Sequence, residues 1–238
     1  MIISFCFTTK IMDWSKLDFY KMLVYKSIET AKQYHKVVLY TDEESLSHFE
    51  DVTVEKRIVD TTGFLFMDDL KIHLLTIIDE NEILIDTDLF LHKPLELPNG
   101  YDLYLDYKDP TTEWHYDVPY NYFVSKGIRN AFPNIFDEII PHSGNIGILY
   151  FTNKTFKEKY IELYYKLREW IIGLDNWYEH TAVFLGQYLL GVVWYESDYK
   201  VCPLKETDND YTHYASYLKF EDGVIDKILI PYPPNKLN

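Results

Sequence analysis

Uninterrupted aliphatic runs alternate, over the first hundred positions, with segments whose apolar residues recur every three or four places. IISFCF (2–7) reads as a buried strand. Over 15–34 the positions Leu17, Tyr20, Leu23, Val24, Ile28 and Ala31 share a helical face, with Ser15 or Asp13 as cap. VVLYTDEE (37–44) reads as a strand ending in acids, and 52–59 holds another short strand. Asp68 and Asp69 precede a helix over 70–78, where acids suit the positive end of the dipole. EILIDTDLFL (82–91) is the next strand, closed off by Pro94 and Pro98. The order β, α, β, β, α, β predicts an open α/β sheet, largely parallel in this half, because strands covered on both faces are continuously aliphatic.

The second half is less regular. A strand is predicted over 101–107, and the proline-containing 108–122 reads as a substrate loop or small excursion. HSGNIGILYFTN (142–153) places two glycines before a buried strand, and helices are predicted over 155–171 and 179–191. From Trp194 onward short strands, loops and prolines follow. With no repeat and no linker, the simplest organisation is one domain over 1–238.

Composition narrows the function. Hydrophobic residues are 47% and charged residues 26% of the 238 positions, enough to bury a core. The net charge of −15 argues against nucleic acid as a partner and means that a phosphorylated substrate needs a cation or well-placed basic side chains. The 22 tyrosines fit a polar cleft or a compositional bias equally. Cys6 and Cys202 have no metal-ligand spacing and make no disulfide framework. The N-terminus reads as a strand rather than a signal peptide, and no stretch reaches the ~18 apolar residues of a membrane span. A soluble, cytoplasmic protein is expected.

The chemistry concentrates at Asp86-Thr87-Asp88. On a strand the two carboxylates share one face, roughly 7 Å apart. They could form a metal site, an acid/base pair or the polar start of a loop. Asp208-Asn209-Asp210 has the same spacing in a loop-like context, so the setting of 86–88, not its letters, carries weight. That setting is the carboxyl end of a strand, where open α/β sheets bind ligands, and oxygen donors there suit Mg²⁺ or Mn²⁺. Near the C-terminus, His213 could complete a coordination sphere and Lys219 could face phosphate.

Asp86-Thr87-Asp88, then Asn145-Ile146-Gly147 before an apolar strand, then His213-Tyr214 with Lys219 five residues on, together resemble nucleotide-sugar glycosyltransferases of the GT-A fold, family 8 in particular. Ser216 stands where that family usually has Gly, and Phe220-Glu221 replaces its Pro-Trp. The resemblance implies a GT-A-like, Rossmann-type open mixed sheet flanked by helices. Residues 1–100 would be the nucleotide-binding half, and 101–238 the acceptor side with the C-terminal metal and diphosphate segment. It implies Asp86, Asp88 and His213 as ligands of Mn²⁺ or Mg²⁺, with Lys219 and Thr87 beside the donor. Thr8 and Thr9 would cradle the nucleotide. Asp42 would meet base or ribose, or else cap a helix. Lys71 would aim at the donor, or else lie on a solvated face. Asn145 would lie near the sugar, or serve a turn. Glu179 would be a catalytic or acceptor-side acid, or a helix-terminus acid, with Trp177 and Tyr178 stacking on a sugar or packing in the core. The activity implied is retaining transfer of a hexose from a UDP-sugar to a hydroxyl of a glycan or small molecule. A nucleotidyltransferase is the rival enzyme, although FTTKIMDW (7–14) lacks its Gly-rich basic loop; a non-catalytic carbohydrate- or nucleotide-binding protein is the rival outside enzymes.

Overall fold

The first aliphatic run forms β1 (Ile2–Phe7), followed by α1 (Leu17–Lys32) and β2 (Lys36–Thr41), in the computed structural model of the chain, which describes residues 1–10, 16–174 and 180–214. Both proposed caps of α1, Ser15 and Asp13, lie outside the described residues. The acids after β2 do not prolong the strand. Asp42 instead caps the short helix α2 (Glu43–Leu46), accepting from the Ser45 N–H at 2.9 Å. An edge strand β3 (Glu55–Ile58), then α3 (Met67–Ile77) and β4 (Glu82–Ile85) complete the first half. Within α3, Asp69 is nearly fully buried and meets the Nε of Arg168 at 2.7 Å and the hydroxyl of Tyr164 at 2.9 Å.

The segment 82–91, read as one strand, is two. After β4 the chain turns through Asp86-Thr87-Asp88 and re-enters extended structure as β5 (Leu89–Leu91) in a different sheet. Next come β6 (Leu103–Leu105), β7 (Lys108–Pro110), α4 (Trp114–Ser125), α5 (Ile128–Ala131), β8 (His142–Gly144), β9 (Ile148–Phe151) and α6 (Lys154–Ile172). The expected loop over 108–122 is therefore mostly strand and helix. Proline inside a helix costs about 3 kcal/mol. Here α4 holds Pro119 yet buries Tyr116, Tyr120 and Phe123 at helical spacing, at about 1.5–3 kcal/mol each, so burial wins. The late helix begins as α7 (Thr181–Val183), passes through a π-helical turn (Phe184–Tyr188) and ends as α8 (Leu189–Tyr195); β10 (Val201–Pro203) and β11 (Tyr211–His213) follow.

Seven strands make one mixed sheet in the order β10-β6-β9-β4-β1-β2-β3. All pairings are parallel except those of β9, which runs against both β4 and β6. The alternation of side chains sends Ile83 and Ile85 of β4 to a core under α1, and Leu84 to a larger core under α3, α4, α6 and α8. This is the open, helix-flanked mixed sheet that the sequence predicts. Among the described residues no helix is long and apolar enough to cross a membrane.

The polarity of the strands fixes where chemistry can sit. β6 and β4 both oppose β9, so they run the same way, and β1 and β2 run with β4. The residues that follow these strands, Thr8 and Thr9, Asp42, Asp86 and Asp106, therefore share the carboxyl edge of the sheet. Because β9 is reversed, its approach, Asn145–Gly147, arrives at that same edge.

Candidate metal centre

Local backbone bonds turn the end of β4 outward. The Asp86 N–H donates to the Gly147 carbonyl at 2.8 Å, and the Leu89 N–H folds back onto the Asp86 carbonyl at 3.2 Å. Hydroxyls on α1 hold the turn and β5 in place: Ser27 Oγ donates to the Thr87 carbonyl at 2.6 Å, and Thr30 Oγ1 accepts from the Leu91 N–H at 3.2 Å. β5 then pairs antiparallel with β11, setting His213 opposite Leu89, and the Tyr214 N–H closes onto the Asp88 carbonyl at 3.0 Å. A residue 125 positions away in sequence from Asp88 is thereby delivered to it by one short ladder.

His213 Nε2 lies 3.3 Å from Asp88 Oδ1 and 3.9 Å from Asp86 Oδ2. One ligand atom from each of the three residues falls within 4.8 Å of the others. Behind the ring, Nδ1–H donates to Asp106 Oδ2 at 2.5 Å, and Tyr211 donates its hydroxyl to Asp106 Oδ1 at 2.7 Å. Asp106 is fully buried, and an ionised carboxylate only accepts, so Nδ1 must carry the hydrogen and Nε2 is directed at the aspartates. This is how proteins usually prepare a metal-ligating histidine. Burial opposes the imidazolium, but bonds to Asp106 and Asp88 and the charges of both outweigh it and push His213 up to about 10. His213 would have to give up that proton to ligate a cation through Nε2.

The donor set fits a hard divalent ion. Ligands about 2.1 Å from Mg²⁺ stand at most about 4.2 Å apart. Both His213–aspartate separations already meet that limit. Two carboxylates and one imidazole would fill one side of the ion and leave positions for phosphate oxygens and water.

Lys71, fully within the fold on α3, donates to Asp86 Oδ1 and, at 2.8 Å, to the Ile146 carbonyl. Burial works against its charge, yet Asp86, Asp68 and Cys6 hold its pKa raised, so it remains a cation. It thus lies behind Asp86 and orients it, rather than on a solvated face. Asn145 is buried beside the centre. Its Oδ1 accepts from the Gly147 N–H at 2.9 Å and its backbone bonds Asp106 and Tyr107, so it shapes the turn that carries Gly147. Thr9 bonds Ser45 through its N–H (2.9 Å) and hydroxyl (3.0 Å), and Thr8 Oγ1 accepts from the Lys10 N–H at 3.2 Å. Both carboxylate oxygens of Asp42 engage Ser45. Asp42 is thus a helix cap at the carboxyl edge. Glu179, Trp177, Tyr178, Ser216 and Lys219 lie outside the described residues.

Two residues not singled out from the sequence, Asp106 and Tyr211, matter here, and Gly147, named there only as part of a motif, gains a physical role. Asp106 follows an apolar Leu-Tyr-Leu run just as Asp86 follows Ile-Leu-Ile, a signal hidden by reading 101–107 as a single strand. Tyr211 anchors Asp106. Gly147 is needed because a Cβ there would stand 2.6 Å from His213 Nδ1 and 2.9 Å from Asp106 Oδ2.

No family model matches the chain, and no curated protein matches it. Solved structures similar to it are glycosyltransferases. They include the glycosyltransferase GlyE of Streptococcus pneumoniae TIGR4 (TM-score 0.47, 13% identity, covering 84% of this chain and 44% of that one). The PaToxG glycosyltransferase (0.45, 14%, covering 82% and 68%) and mouse xyloside xylosyltransferase 1 (0.40, 9%, covering 73% and 74%) are also similar. The chain spans less than half the length of GlyE.

Proposed function

We propose that this protein is a metal-dependent glycosyltransferase that moves a hexose from a UDP-sugar to a hydroxyl acceptor with retention of configuration. The observation that carries the reading is the convergence of Asp86, Asp88 and His213 at the carboxyl edge, with Asp106 fixing the histidine tautomer. Asp86, Asp88 and His213 Nε2 would hold Mn²⁺ or Mg²⁺. When bound, such an ion supplies positive charge at a diphosphate leaving group. That also answers how a chain of net charge −15 accepts an anionic donor.

In this reading the 1–100 half binds the nucleotide, with Thr8, Thr9 and Asp42 ending strands beside the metal centre and Thr87 between its two carboxylates. Lys71 pairs with Asp86 and aims it. Asn145 and Gly147 form the floor on which the sugar rests. Lys219 adds a fixed positive charge at the diphosphate, and Glu179 lines the acceptor side with the 101–238 half. The anomeric carbon–oxygen bond to the diphosphate breaks, a bond to the acceptor oxygen forms, and the acceptor proton is released.

Calorimetry with UDP, with and without Mn²⁺, on wild type and Asp88→Ala tests this. The expected result is UDP binding that requires Mn²⁺ and is lost in the variant; equal binding without metal would sink the coordination. Turnover of a panel of UDP- and GDP-sugars then separates enzyme from binder, and no turnover of any donor would refute transfer.

A further inference from the structure

Beyond Asp106 the same edge carries a second group of polar and aromatic side chains that the metal centre leaves unused. β7 sets Asp109 opposite Ser143 of β8. Tyr116, fully buried in the first turn of α4, has its hydroxyl 2.9 Å from Asp109 Oδ2 and 2.6 Å from the side-chain amide of Gln187. The Tyr116 hydroxyl thus faces two acceptor oxygens, Asp109 Oδ2 and Gln187 Oε1, and ties the two side chains together. Gln187 sits in the π-helical turn, a widening of the helix that recurs at functional sites. Burial raises the Asp109 carboxyl above its ordinary range, against the pull of the Tyr116 bond. On the rim, the His115 ring lies 4.2 Å from Tyr116. Trp114 stands perpendicular to His180 at 4.5 Å and is 55% exposed.

This group lies close to the metal centre. Asp109 is three residues past Asp106, a span of at most about 11 Å, and Asp106 touches His213. The hydroxyl of the half-buried Tyr107 between them is raised by desolvation and by the charges of Asp109, Asp106, Asp86 and Asp88 together.

We propose that Trp114, His115 and Asp109 form a subsite for a neutral sugar ring, the acceptor of the transfer. A pyranose has an apolar C–H face and a rim of hydroxyls. The site has the matching parts: an open indole, then an imidazole and a carboxylate locked in place by Tyr116 and Gln187. The carboxylates of Glu113, Asp109 and Asp106 select against a phosphorylated or acidic sugar. The word acceptor rests on the glycosyl-transfer reading; the saccharide subsite itself does not.

Saturation-transfer NMR on the full chain, with Mn²⁺ and UDP present, is run against a panel of neutral methyl glycosides and disaccharides and their phosphorylated counterparts. The expected result is binding of a neutral pyranoside through its C–H face, weakened about tenfold by Trp114→Ala, partly restored in Trp114→Phe, weakened in Asp109→Asn, and absent for phosphorylated sugars. Failure of every neutral saccharide to bind, or affinities unchanged by Trp114→Ala and Asp109→Asn, overturns the subsite. UDP–Mn²⁺ calorimetry in parallel separates the two readings. Trp114-dependent saccharide binding without UDP binding keeps the subsite and removes the transfer reading. UDP binding without Trp114-dependent saccharide binding does the reverse.

Discussion

Replacing Asp106 by Asn isolates the positioning of His213 from its ligation. Asp106 accepts twice, from His213 Nδ1–H at 2.5 Å and from Tyr211 at 2.7 Å, and is fully buried. Asn keeps the shape but offers a single acceptor oxygen and an NH₂ that only donates. If the oxygen meets Tyr211, the NH₂ faces His213 Nδ1, which must then accept, and the hydrogen moves to Nε2, where it blocks the metal. If the oxygen meets His213, the Tyr211 hydroxyl faces the NH₂ and its hydrogen loses an acceptor in a buried site. The first outcome disables the ligand and the second loosens β11, which carries it. Loss of such a supporting group typically weakens metal affinity 10–100-fold, or about 1.4–2.7 kcal/mol. Mn²⁺ titration in the presence of UDP reads this directly, with thermal unfolding of the metal-free protein as control for folding. Unchanged Mn²⁺ affinity in a folded Asp106→Asn variant refutes the orienting role, and with it the argument that Nε2 is prepared for a cation.

Gly147→Ala brings a Cβ against the His213 ring and Asp106, so a destabilisation of about 1–3 kcal/mol in denaturant unfolding and loss of Mn²⁺-dependent UDP binding are both expected; a variant normal in both measurements removes the close-approach argument. Asp69→Ala leaves Arg168 without its buried partner, with an expected loss of about 3–5 kcal/mol, and a cost below about 1 kcal/mol would show the pair to be dispensable. Asp68 gives a pH signature. Burial, moderated by Lys71, lifts its carboxyl from 3.8 to about 7. The folded state therefore keeps a proton that the unfolded chain releases, and native stability falls as pH rises from about 4 to about 7 and then levels off. Asp68→Asn removes that dependence, so its melting temperature gains on wild type through this window and matches it near pH 4; an offset independent of pH would refute the assignment.

How legible the fold was in the sequence depended on how local its causes are. β1, β2 and β4 are aliphatic runs covered on both faces, and their residues alone demand burial. The break after Ile85 is different. Leu89, Phe90 and Leu91 are as apolar as Ile83, Leu84 and Ile85, so the polar triplet between them does not by itself show that the chain changes sheet. It is made by the Gly147 carbonyl, the Ser27 hydroxyl and the β11 ladder, all distant in sequence. Over 108–122 two prolines, Pro110 and Pro119, and the polar residues around them mask an aromatic spacing at 116, 120 and 123 that the core rewards more strongly than Pro119 penalises α4.

The candidate site divides along the same line. Asp86 and Asp88 were visible because they end an aliphatic run, and a strand end is a place in the fold. His213 ends no such run: an isolated histidine between Thr212 and Tyr214 carries no local sign of its neighbours, and only the resemblance ties it to Asp86 and Asp88. Its supports were harder still. Asp106 acts through a hydrogen bond across 107 residues, and Gly147 acts by lacking a side chain. Yet Asp106 ends β6 as Asp86 ends β4, and strands that both oppose β9 must release their last residues at one edge. Once strand order and polarity are known, an acid just beyond each such strand is enough to predict that Asp106 and Asp86 belong to a common centre. The missing information was therefore topological rather than chemical: the reversal of β9 brings two ordinary strand ends and a glycine turn to a single centre.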